Sequence, residues 1–167
     1  IKLSKGDSVL DLGSFPGGWS QVASEIVGKS GKVAAIDIQF MKPIEGCFFL
    51  KRSIEEVAEK DFEEIRDFLP FDLVLSDMAP NISGIRERDD ALMMELVDKT
   101  LLIVDKLLKT KGSTLIKVFQ GESLDYTREA LSVRFNKVKI SKPKASRSNS
   151  KEIYIIGKEL KNYERTS

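Results

Sequence analysis

The sequence predicts an α/β fold built on an open, mainly parallel sheet, and three observations carry that expectation. Short apolar segments bounded by Gly, Asp or Pro recur along the chain, and most are separated by stretches whose apolar residues follow helical spacing. That alternation calls for right-handed βαβ units with helices on both faces of the sheet. The last two apolar segments are instead joined by SKPKASRSNSK with no helix, so they should form an antiparallel hairpin at one edge. A length of 167 residues fits one domain over 1–167, and no repeat or linker divides it.

Strands are expected over residues 8–12, 32–36, 47–50, 71–75, 113–119, 137–140 and 152–156. They are short, rich in β-branched residues and mostly continuous, as strands covered on both faces must be. After the first comes DLGSFPGGWSQ, a glycine-rich turn leading into a helix that begins near Trp19. From Ser53, the residues Ile54, Val57, Ala58, Phe62, Ile65 and Leu69 mark a second helix, with Ser53 and Glu56 placed as a capping box. Residues 89–108 make a third through Leu92, Leu96, Thr100, Ile103 and Leu107, with Gly112 as its stop, and 124–135 a fourth. The charged loop 81–90 (NISGIRERDD), with Gly84 inside it, reads as a mobile flap over the strand ends.

Composition narrows the chemistry. There is no histidine and one cysteine, Cys47, which removes histidine-based triads, the usual zinc sets and any intrachain disulfide. Catalysis must then run on Lys, Asp, Glu and backbone groups, with no metal. No run of about 18 apolar residues and no basic-then-apolar leader is present, so a cytoplasmic protein off the membrane is expected. Net charge is +1, unevenly placed: residues 136–167 hold nine Lys/Arg against three Asp/Glu, a net +6, leaving −5 for the remainder. A basic rim on an acidic body suits a polyanion approaching from one side, although a solvated tail would show the same charge.

In open sheets ligands bind beyond the carboxyl ends of the strands, near the point where strand order reverses. Gly13, Gly17 and Gly18 would let the first turn pass close to a ligand there, and Asp37, closing the second strand, could accept hydrogen bonds from ribose hydroxyls. The spacing G-x-x-x-G-G is not the dinucleotide pattern, which disfavours a nicotinamide dehydrogenase. Trp19 is open between packing and ligand contact, and Ser53 between helix cap and cofactor contact. Lys117 interrupts the apolar run LIKVF, a costly place for an amine unless it enters a cavity or meets carboxylates. Asp77, in SDMAPN, and Glu152, opening the last strand, are the candidate partners. A lysine between two carboxylates beside a nucleotide-type pocket is equipment for moving a proton off a weakly acidic hydroxyl, which points to a transferase.

The strings DLGSFPGGWSQ, SDMAPNISG, KVFQGE and SKEIYIIG closely resemble the FtsJ-type ribosomal RNA large-subunit methyltransferases, in the same order and over nearly the whole chain. The resemblance implies a Rossmann-like methyltransferase sheet with an antiparallel final strand. It implies transfer of a methyl group from S-adenosylmethionine to a ribose 2′-hydroxyl, with a uridine of large-subunit ribosomal RNA favoured and a tRNA substrate or a non-catalytic binding module as alternatives. By the same likeness Gly13, Gly17, Gly18 and Trp19 belong to the cofactor loop, Asp37 binds its ribose, and Asp77 lies beside its methionine part. Lys117 matches the catalytic lysine, with Asp77 and Glu152 as partners, acting as a base or by positioning the hydroxyl.

Two departures from the family pattern stand out. Ser53 occupies the position where the family reads adenine with Asp. The upstream lysine of the family lies on a helix that the chain, beginning at Ile1, does not include, so a preceding N-terminal stretch is expected. RNA should meet Arg86 and Arg88 on the flap and Lys142, Lys144, Arg147 and Lys151 on the last hairpin loop, through phosphate contacts, with the protein acting as a monomer on the large ribosomal subunit.

Overall fold

The computed structural model describes residues 1–59, 63–142 and 151–162. Seven strands form one sheet: β1 (Ser8–Leu12), β2 (Lys32–Asp37), β3 (Cys47–Lys51), β4 (Phe71–Ser76), β5 (Leu108–Phe119), β6 (Phe135–Ser141) and β7 (Glu152–Leu160). Their order is β3-β2-β1-β4-β5-β7-β6. The first five run parallel, and β7 inserts antiparallel between β5 and β6. The predicted edge hairpin is therefore present, with its later strand on the inside.

Among the described residues four α-helices cover the sheet: α1 (Gly18–Val27), α2 (Ile54–Glu59), α3 (Arg86–Leu107) and α4 (Glu122–Arg134). Side chains alternate across each strand, so two separate cores form. Leu10, Ile36, Val74, Ile116 and Ile155 pack with Val97, Leu101 and Leu131 on one face. Val9, Val33, Leu73 and Leu75 pack with Ala23 and Val27 of α1 on the other, with Leu115 and Trp19 against them. Among the described residues, α1 is the helix that packs on the second face. Beyond its reach, toward the carboxyl ends of β5 and β4, that face is free for chemistry.

Three expectations are corrected. The helix predicted over 53–69 is α2 followed by a 3-10 stretch, Glu63–Phe68. Its cap is as expected: the Ser53 N–H donates to Glu56 Oε2 at 2.9 Å, and the Glu56 N–H donates to Ser53 Oγ at 3.3 Å. Gly112 does not stop α3, which ends at Leu107, and β5 begins directly with Leu108. The register against β4 then shifts between Phe71 and Leu73, and Lys111 takes a φ of 67°, so residues that look like a turn form an irregularity inside a strand. Residues 86–90 are not part of a flap but the opening of α3. The Asp89 carboxylate accepts the N–H of Ser83 and Gly84 at 2.8 and 3.1 Å and the Ser83 hydroxyl at 2.7 Å, tying the preceding turn to the helix.

Candidate active site

Strand order reverses between β1 and β4, and the turn after β1 and the segment after β4 are held together there. The Asp77 N–H donates to the Leu12 carbonyl at 3.1 Å, and the Gly13 N–H donates to the Ile36 carbonyl at 2.9 Å. Two residues beyond Leu75 on the α1 face, Asp77 meets Lys117, which shares that face with Leu115. The antiparallel register sets Tyr154 opposite Lys117, with Glu152 two positions away. Lys117 Nζ lies 3.3 Å from Asp77 Oδ1 and 3.6 Å from Glu152 Oε1, its side chain 12 % exposed. Lys117, Asp77 and Glu152 are thus one cluster.

Sequence reasoning missed Tyr154. Its hydroxyl donates to Asp77 Oδ1 at 2.8 Å, and its ring lies 5.4 Å from that of Trp19. Burial, followed by the bond to Asp77 and the charges of Asp77 and Glu152, pushes the phenol well above its ordinary range. At neutral pH it is a fixed donor that aims the carboxylate. The only available signal was its place two residues after Glu152 on a strand.

Beside the cluster runs a cleft of about 560 Å³ whose lining includes Gly13, Asp37, Ser53 and Asp77. Gly13 has a φ of +71°, and a Cβ there would come within 2.4 Å of Met78 Cγ, so the turn keeps this wall open only as glycine. Asp37 accepts the Phe15 N–H at 2.9 Å through Oδ2 and the Gln39 N–H at 2.8 Å through Oδ1, which fixes its carboxylate while leaving lone pairs for a ligand. A wall of carboxylates suits a ligand bearing hydroxyls, an ammonium and a sulfonium. The residues therefore fit S-adenosylmethionine. Gly17, Gly18 and Trp19 do not line this cleft: Gly17 packs on Ile44 and Met41, Gly18 is exposed, and Trp19 supports Tyr154.

Behind the cleft, Asp11 is fully buried, with one oxygen accepting the Ser20 hydroxyl at 2.6 Å and the other, Oδ1, without a hydrogen-bond partner among the described residues. Burial raises its pKa from 3.8 to about 7, the Ser20 bond opposing and the charges of Asp77 and Asp37 adding to the rise. A raised acid favours folding in its protonated form. Its stabilising contribution is full below pH 3.8, declines as the pH rises toward about 7, and is flat above. Asp11→Asn removes that titration. Urea unfolding should show the variant gaining on wild type by about 4 kcal/mol between pH 4 and pH 7 and no further above. A difference independent of pH would show that Asp11 does not titrate in this way.

On the outer side of Glu152 lies a second cavity of about 330 Å³, whose lining includes Arg86, Phe119, Gln120 and Lys151. Gly121 makes room for Arg86: a Cβ there would meet Arg86 Nη2 at 2.9 Å. Arg86, Lys151 and Lys142 are exposed, and Arg88 is exposed on the first turn of α3. Arg86 and Lys151 therefore flank the lysine cluster. Lys144 and Arg147 lie outside the described residues. Among the described residues no helix is long and apolar enough to cross a membrane.

The model of a family described as FtsJ-like methyltransferase matches residues 1–160. The ribosomal RNA large subunit methyltransferase E of Marinobacter nauticus is 45 % identical over 155 residues, covering 91 % of this chain and 74 % of that protein. Its counterpart in Stenotrophomonas maltophilia is 47 % identical over 151 residues, covering 89 % and 71 %. A crystal structure from Plasmodium falciparum, described as a ribosomal RNA methyltransferase, superposes with a TM-score of 0.83 at 24 % identity, covering 97 % of this chain and 91 % of that one, and so supports the fold.

Proposed function

The chain belongs to the FtsJ-like methyltransferase family, and from that premise we propose that it methylates the ribose 2′-hydroxyl of a uridine in large-subunit ribosomal RNA, presented on the ribosomal particle. The observation that carries this reading is the Lys117 amine, held between Asp77 and Glu152 at the edge of an acid-lined cleft. The names of the relatives support the choice of RNA. The motif resemblance supports the ribose and the uridine.

Gly13, Asp37 and Asp77 would hold S-adenosylmethionine, which when bound supplies a methyl group already activated on a sulfonium. What remains for the protein is to bring a hydroxyl oxygen to it in line, and positioning of that kind accounts for a large share of such rate enhancements. Lys117 binds the hydroxyl and orients its lone pair, and the proton leaves into the cluster, where the two carboxylates stand ready as acceptors. Tyr154 keeps the shared Asp77 oxygen in place. Arg86, Arg88, Lys142 and Lys151 contact phosphate, which sets the RNA's register without reading the base. The protein acts in the cytoplasm as a monomer.

Incubation with radiolabelled S-adenosylmethionine and either large ribosomal subunits or bulk tRNA tests the reading. Label should enter the large-subunit RNA and be recovered as 2′-O-methyluridine after digestion. Label confined to tRNA, or found on a base, contradicts it.

A further inference from the structure

The cleft changes character along its length. Near Gly13, Asp37 and Asp77 it is acidic, but its far end is walled by Ile38, Ile54, Leu92 and Leu96. Ile38 is 65 % exposed although it directly follows a buried strand, leaving an apolar surface with nothing over it among the described residues. Walls of this kind accept a flat ring without saying which, and the choice is made by the polar groups facing the ring's edge.

Of the polar side chains at that rim, two are committed elsewhere. Ser53 is engaged in the cap with Glu56 through both its N–H and its hydroxyl oxygen. Arg52 turns to the Lys51 carbonyl at 2.9 Å and to Glu64 at 3.7 Å. Gln39, Asn81, Glu95, Glu55 and Lys99 also line the cleft, and of these the last two stand side by side as a ready acceptor and donor, with Lys99 Nζ donating to Glu55 Oε1 at 2.6 Å. Each keeps capacity to spare, because an ammonium has three donors and a carboxylate two oxygens. The Lys99 bond, helped by the Glu55 N–H, holds the Glu55 carboxyl below its usual range, so it is an acceptor at neutral pH.

We propose that Lys99 and Glu55 read the adenine edge of the bound cofactor, Lys99 donating to N1 and Glu55 accepting from the 6-amino group, in place of a side chain at position 53. This rests on the reading of the cleft as the S-adenosylmethionine site. Adenine presents an acceptor and a donor on neighbouring atoms, which the pair complements. Hypoxanthine presents a carbonyl and an N1–H at the same places. It would set oxygen against the carboxylate and hydrogen against the ammonium.

Calorimetric titration of wild type, Glu55→Gln and Lys99→Met with S-adenosylhomocysteine and S-inosylhomocysteine decides the matter. Wild type should prefer the adenosyl ligand about tenfold or more, since a site built around hydrogen bonds discriminates against a ligand that leaves them unmade. Lys99→Met should weaken adenosyl binding about fivefold. Glu55→Gln, whose amide can turn its N–H toward the carbonyl, should narrow the preference about tenfold, mainly by improving inosyl binding. If the pair only clasps α2 to α3, both ligands weaken alike in both variants and the ratio stays at the wild-type value, which overturns the inference while leaving the cleft intact. Failure of wild type to bind either ligand would overturn the reading of the cleft and the inference with it.

Discussion

Lys117→Ala is expected to lower methyl transfer to ribosomal RNA by about three orders of magnitude while leaving affinity for S-adenosylmethionine within a few-fold. The two effects separate because the amine faces the outer mouth of the site and is not among the residues lining the cleft. Its alkyl stem crosses the sheet face between Leu115 and the strand end, so truncation removes little core. Without the amine, a ribose hydroxyl loses its positioning partner, and Asp77 and Glu152 are left as neighbouring carboxylates without the cation between them. Lys117→Arg should not restore activity, because a planar guanidinium fork replaces a compact ammonium and cannot set a single donor on the hydroxyl in the same geometry. Single-turnover rates with large ribosomal subunits, paired with calorimetry, check both halves. Wild-type rates in Lys117→Ala would remove the lysine from the chemistry.

Asp77→Asn is expected to cost about a hundredfold in transfer and about tenfold in cofactor affinity. One oxygen of Asp77 serves two partners, Tyr154 at 2.8 Å and Lys117 at 3.3 Å, and the residue also lines the cleft. An amide still accepts a hydrogen bond but has no charge to hold the ammonium in place. Lys117 would then depend on Glu152, whose side chain is 44 % exposed and 3.6 Å away, an arrangement in which solvent screens most of the attraction. The same exposure makes Glu152→Gln the milder change, about tenfold or less. An Asp77→Asn enzyme that transfers methyl groups at the wild-type rate with unaltered affinity would show that neither duty falls to this carboxylate.

Much of the fold was legible because β1, β2 and β4 are continuous, mainly apolar runs buried on both faces. β1 matches its predicted limits, and β2, β3 and β4 run one residue further. The failures have local causes. Lys111 and Gly112 carry the signature of a turn, yet β4 pairs across the irregularity and draws Leu108 into the sheet. The string NISGIRERDD looks polar and mobile, but Asp89 fastens it to the head of α3.

In the site, Lys117, Asp77 and Glu152 were legible as charges that break apolar patterns at strand ends. Tyr154 was not, because its role depends on which residue of β5 it faces, a register set by the antiparallel pairing and not by any local pattern. Asp11 was hidden for a similar reason: inside SVLDL it reads as strand, and its burial beside Ser20 depends on how α1 packs. Trp19 was recognised as part of the glycine turn, but its ring contact with Tyr154, tilted at 5.4 Å, depends on the same strand register.

A crystal structure with S-adenosylhomocysteine bound tests the central claim most directly. The account predicts the ligand along the cleft from Asp37 to Asp77, its sulfur between Gly13 and Asp77, with Lys117 Nζ facing it across a gap that admits a sugar hydroxyl. A ligand seated elsewhere, or a lysine amine turned away from the sulfur with that gap closed by packed side chains, would contradict it.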